Sequence, residues 1–102
     1  MTNTQNLGAI IVELMEHEPS TKAKLAKAEK YQEWTYMRVQ VWEEAYADSD
    51  EDETVGERLD EAYNEHEEAY TETDRLRDKA EAIDEALQAL RKAAELIEWL
   101  GL

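Results

Sequence analysis

The sequence has no cysteine and no phenylalanine, one proline and three glycines among 102 residues. Without cysteine there is no disulfide framework, no thiolate zinc cluster and no thiol nucleophile. Scarce Gly and Pro leave few places for turns, and a composition rich in Ala, Glu, Leu and Lys predicts an all-α chain. Long apolar runs are also missing: "LGAIIVELM" is interrupted by Glu13, and the first twenty residues carry no basic leader. Neither a signal peptide nor a membrane span is expected, and a cytoplasmic site of action follows.

Basic residues are few. Eleven Lys and Arg face 26 Asp and Glu, a net charge of −15. Direct binding to nucleic acid or to an anionic membrane would meet repulsion, whereas a basic protein surface is favoured. The excess is local. Residues 1–19 carry a net −3, residues 20–42 a net +3, residues 43–74 a net −14 and residues 75–102 a net −1.

The length fits a single domain, 1–102. Ile10, Ile11, Leu14 and Met15 recur at helical spacing and predict a first helix over about 4–18, which Pro19 should end or kink. Ser20 then caps a second helix over 20–48. Its apolar residues, including Leu25, Ala28, Tyr31, Trp34, Val39, Val41, Trp42, Ala45 and Tyr46, span more than half the helix circumference. One neighbour cannot cover that arc, so two neighbours or another chain are expected. An acidic connector at 48–54, "DSDEDET", leads to a capping box of Thr54 and Glu57 and a third helix over 54–99. There a heptad runs without a slip through Val55, Leu59, Ala62, His66, Ala69, Thr73, Leu76, Ala80, Ile83, Leu87, Leu90, Ala94 and Ile97. Polar or small seam residues at 66–73 leave a break near "YTETD" as the alternative. Matched lengths predict an elongated antiparallel helical hairpin, or coiled coil, with a short N-terminal helix packed on the long C-terminal one.

Several patterns resemble sites of known chemistry. Asp48, Asp50 and Asp52 fall at positions 1, 3 and 5 of a loop that resembles an EF-hand over a dozen residues, with Val55 at its apolar position 8. Glu53 replaces the glycine of position 6 and Leu59 the bidentate Glu of position 12, so a solvated connector is expected instead. Glu65-x-x-Glu68 and Glu81-x-x-Asp84 resemble the acidic metal motif of the all-helical nucleotide pyrophosphohydrolases. That motif needs two helices, and on one continuous helix residues 65 and 84 lie about 28 Å apart. His17 and His66 lack the preceding Glu of a di-iron Glu-x-x-His motif. Ser20 and Ser49 have no histidine on a shared face. The size and hairpin are similar to those of small secreted Trp-x-Gly hairpin proteins, but the motif is absent. No catalytic residue, metal site or cofactor is therefore assigned, and a non-enzymatic protein is expected.

What remains is the acidic stretch. Glu57, Asp60, Glu61, Glu65, Glu67, Glu68, Glu72 and Asp74 place eight carboxylates over about 27 Å of helix, near the linear charge density of one DNA strand. Like-charge pairs four residues apart, such as Glu53/Glu57 and Glu57/Glu61, cost about 0.2–0.5 kcal/mol each. Tyr63 and Tyr70 flank the same seam and offer apolar area with a polar handle. The expectation is a decoy for the phosphate backbone that occupies the basic cleft of a nucleic-acid-binding protein or nuclease complex. Small acidic proteins of viruses and mobile elements that block restriction or CRISPR nucleases are similar in charge and size. The alternative is a coiled-coil assembly module, such as a homodimer, with the acidic tip serving solubility.

Overall fold

The computed structural model describes residues 3–101, with side chains from Asn6 onward. It is an all-α helical hairpin of two helices, α1 (Asn3–Asp48) and α2 (Glu53–Leu100), with no strand among the described residues.

Two helices replace the three expected, because Pro19 lies inside α1. Proline removes one backbone hydrogen bond and crowds the preceding turn, at a cost of about 3 kcal/mol in a helix interior. Here its ring is exposed, while Leu14, Glu18 and Thr21 around it face inward. Packing of the flanking turns against α2 offsets the local defect. Ser20 is accordingly a helix-interior residue and not a cap. α2 also runs unbroken through residues 71–74. Thr71 and Thr73 donate their hydroxyls to the carbonyls of Glu67 and Ala69, at 3.0 and 2.9 Å, the back-bonding of helix-interior threonines.

The chain forms two compact units. One joins the part of α1 up to Lys24 to the part of α2 from Leu76 onward. Its core holds Thr21, Leu76, Ile83 and Leu87, with Leu7, Ile11, Leu14, Leu90, Ala94 and Ile97 half-buried around them. Gly101, at φ 72°, closes α2 in the left-handed conformation, its N–H donating to Glu98 O at 3.1 Å.

The other unit is Leu25–Arg75 and contains the hairpin tip. Its interior is small and partly polar: Thr35, Val39, Ala62, Ala69 and Thr73 are buried. The Thr35 hydroxyl donates to Gln32 O at 2.8 Å, and His66 Nδ1 lies 3.0 Å from Thr35 Oγ1. A hydroxyl has one hydrogen to give, so Nδ1 carries the hydrogen of this second bond. No fully buried side-chain polar atom is left without a partner among the described residues.

The connector follows from capping chemistry. Glu51 N–H donates to Tyr46 O at 3.2 Å, and Asp50 takes φ 57°, the pattern of a Schellman helix ending with Asp where Gly is usual. Glu51 is left-handed too, at φ 61°. Asp52 begins α2: its Oδ1 accepts from the backbone N–H groups of Thr54 and Val55 at 2.9 and 3.2 Å. The cap is thus Asp52 and not the expected box of Thr54 and Glu57. Ser49 links the two ends, donating to Tyr46 O and accepting from Asp52 N–H.

Candidate functional site

Heptad position decides what each side chain of the tip unit can do. The α2 seam residues Val55, Leu59, Ala62, His66, Ala69 and Thr73 are all buried or half-buried. Facing them, α1 has its own four-and-three repeat: Leu25, Ala28, Gln32, Thr35, Val39, Trp42 and Tyr46 are likewise covered. Gly56 lets the Tyr46 ring approach, since a Cβ there would lie 3.1 Å from Tyr46 Cε2.

Glu57, Asp60, Glu61, Glu67 and Glu68 are exposed on the outer face of α2. Asn64, Glu67, Glu68, Thr71 and Glu72 line a shallow trough along it. Glu61, Glu65 and Glu72 of the expected row are engaged by arginines. Glu65 is half-buried and pairs with Arg38 across the hairpin. Glu61 lies 3.4 Å from Arg58, and Glu72 is 2.7 Å from Arg75, in pairs three residues apart. Arg75, through its hydrogen bonds and charge, holds the Glu72 carboxyl below its usual value. Asp74 is half-buried. Neither Lys27 nor Lys30, both exposed, forms an ion pair with the row. Positive charge of α1 reaches the row through Arg38.

Tyr63 and Tyr70 are exposed beside the seam. Tyr63 donates its phenol hydrogen to Glu43, and this bond, then partial desolvation and the negative charges of Glu43 and Asp60, raises its pKa. Tyr70 borders a cleft with Glu29, Glu33, Tyr36 and His66. The rings of Tyr36 and His66 are 5.6 Å apart.

The tip concentrates more charge than the row alone. Leu25–Arg75 contains seventeen carboxylates and five basic residues, a net −12. Asp52 and Glu53 at the start of α2 are favoured by its helix dipole. Asp48 at the end of α1 opposes one, with no basic residue in that last turn. Among the described residues, no three carboxylates or imidazoles are grouped to hold a metal ion. No helix of the described residues is long and apolar enough to cross a membrane.

The wide apolar arc expected on the second helix divides into the seam and an exposed flank, a division that sequence reasoning missed. Tyr31, Trp34, Met37 and Val41 are exposed on α1, with Arg38 stacked 5.1 Å over the Trp34 ring while it pairs with Glu65. The signal was the α1 heptad, which leaves these residues off the seam. A comparison with protein-family models, with characterised proteins and with solved structures finds no match to this chain.

Proposed function

We propose that this protein is a non-enzymatic acidic binding protein that occupies the basic, nucleic-acid-binding cleft of a partner, such as a defence nuclease, as a decoy for the phosphate backbone. The observation that carries the proposal is the net −12 of Leu25–Arg75, with Glu57, Asp60, Glu67 and Glu68 exposed on α2 outside any ion pair. Carboxylate pairs 60/61 and 67/68 repeat one heptad apart, about 10.5 Å along the helix. A basic cleft would gain from releasing the counterions of both surfaces, as it does on nucleic acid. Tyr63 and Tyr70 would add apolar contact at the edge of the row.

The test is capture from host lysate on immobilised wild type and on the variant Glu57→Gln, Asp60→Asn, Glu67→Gln, Glu68→Gln, with elution by DNA. These four side chains are exposed and outside the ion pairs, so the variant keeps the fold. A nucleic-acid-binding protein held by wild type alone and released by DNA supports the decoy. Equal capture by both forms refutes it.

A further inference from the structure

We propose that the exposed strip on α1 formed by Tyr31, Trp34, Met37 and Val41 is a docking surface for a basic amphipathic helix of a partner protein. The strip is 49–62 % exposed along its length, an unusual concentration of large apolar side chains on one flank. Trp34, Met37, Arg38, Val41 and Trp42 wall a cleft of about 320 Å³. Tyr31 stacks on Trp34 at 5.7 Å and connects this cleft to a second groove of about 170 Å³. There the floor is Ala28 and Ala69, one wall is Tyr31, and the rim is Glu65, Glu68 and Glu72.

The two hollows ask for different chemistry. The first takes an apolar side chain. The second offers an aromatic face beside carboxylates, a setting that receives a lysine ammonium or arginine guanidinium. Arg38 already engages Glu65, and Arg75 engages Glu72, which leaves Glu68 as the carboxylate outside an ion pair. From Tyr31 to Val41 the strip covers ten residues, about 15 Å. A partner helix with a basic residue and an apolar one about eleven positions apart presents both on one face over that distance. Such a helix, apolar on one side and edged with Lys or Arg, complements both the strip and the acidic flank. A second copy of this chain would instead bring its own net −12 to the contact.

This goes beyond the decoy proposal, because the apolar strip lies on α1 and meets the decoy row only at the rim of the second groove. The probe is an amphipathic peptide of Leu and Lys, about 18 residues long, enough for roughly 27 Å of helix. Binding is followed by calorimetry and by the fluorescence of the protein's tryptophans. A control peptide of equal charge carries Gln in place of every Leu. Two exposed side chains are removed in Met37→Ser/Val41→Ser, with helicity checked by circular dichroism.

The expected result is binding of the Leu/Lys peptide with a blue shift in tryptophan emission, weakened about tenfold or more in the double variant. Glu68→Gln should weaken binding less and flatten its salt dependence. Equal affinity for the Gln control overturns the proposal, since charge alone would then explain the attraction. So does unchanged affinity in the double variant, or a concentration-dependent dimer of the free protein that this variant abolishes. The strip and the decoy row share the rim carboxylates Glu65, Glu68 and Glu72, so Met37→Ser/Val41→Ser, which leaves every carboxylate in place, is the variant that tests the strip alone.

Discussion

Replacing Glu57 with Gln should stabilise the protein in low salt. Glu57 has Glu53 four residues before it, Glu61 four residues after it and Asp60 three residues after it, all exposed on one helix. Each like-charge neighbour costs about 0.2–0.5 kcal/mol, so relief of three amounts to about 0.6–1.5 kcal/mol. Glu53 opens α2, which puts Glu57 past the first turn, where the helix dipole no longer favours a negative charge. Thermal unfolding by circular dichroism at low ionic strength should show a rise in Tm of about 3–8 °C. In 1 M salt, where the Debye length is about 3 Å, the gain should largely vanish. Glu53→Gln is the internal control: it relieves one repulsion and loses a favourable dipole interaction, so its Tm should barely move. An unchanged or lowered Tm for Glu57→Gln in low salt would mean that the acidic face is neutralised in space, and the premise of a charged surface held ready for a partner would fail.

Asp52→Ala should cost about 1 kcal/mol through loss of the α2 cap, whereas Thr54→Ala should cost a few tenths at most; equal losses in denaturant titrations would restore the Thr54 capping box. Glu51→Gly should stabilise by about 0.5–1 kcal/mol, because a non-glycine residue at φ 61° carries a left-handed penalty that exceeds the extra chain entropy of glycine. Tyr63 has a raised pKa, so its bond to Glu43 adds stability below the phenol pKa of the unfolded chain and loses it as pH rises through the folded value. Tyr63→Phe should remove that alkaline component, and an unchanged alkaline profile would show that the bond contributes nothing. Glu72 has the opposite sign: its lowered pKa gives stability above the unfolded carboxyl value that fades as pH falls through the folded one. Arg75→Gln should reduce that acid-side slope.

The α2 seam was legible because its thirteen heptad positions contain mostly apolar or small residues, and every one of them is buried or half-buried. The α1 seam was not. Glu18, Thr21, Gln32 and Thr35 occupy covered positions there, while Tyr31, Trp34 and Val41 sit outside. Hydrophobicity alone therefore pointed to a wide arc, where spacing would have drawn a narrow line from Leu7 to Tyr46. Pro19 misled because a local rule about helix interiors was weighed without the tertiary packing that overrides it. The cap was ambiguous for another reason: Asp52 and Thr54 are both good caps, and only the left-handed turn at Asp50 and Glu51 selects the first. Of the acidic row, the sequence pattern located the exposed outer positions but could not foresee that Arg38 would reach Glu65.

Two helices that share one four-and-three repeat also constrain how such a protein can change length. Removing a single residue from α1 turns everything beyond it by about 100° and swings the covered residues toward solvent. Removing seven from one helix restores that face but leaves the other helix with an unmatched segment. The change that preserves both is a loss or gain of one heptad from each strand of the hairpin, fourteen residues together. Within the paired part of the hairpin, natural variants should therefore gain or lose helix in steps of fourteen residues, with insertions of other sizes taken up in the four residues between Asp48 and Glu53.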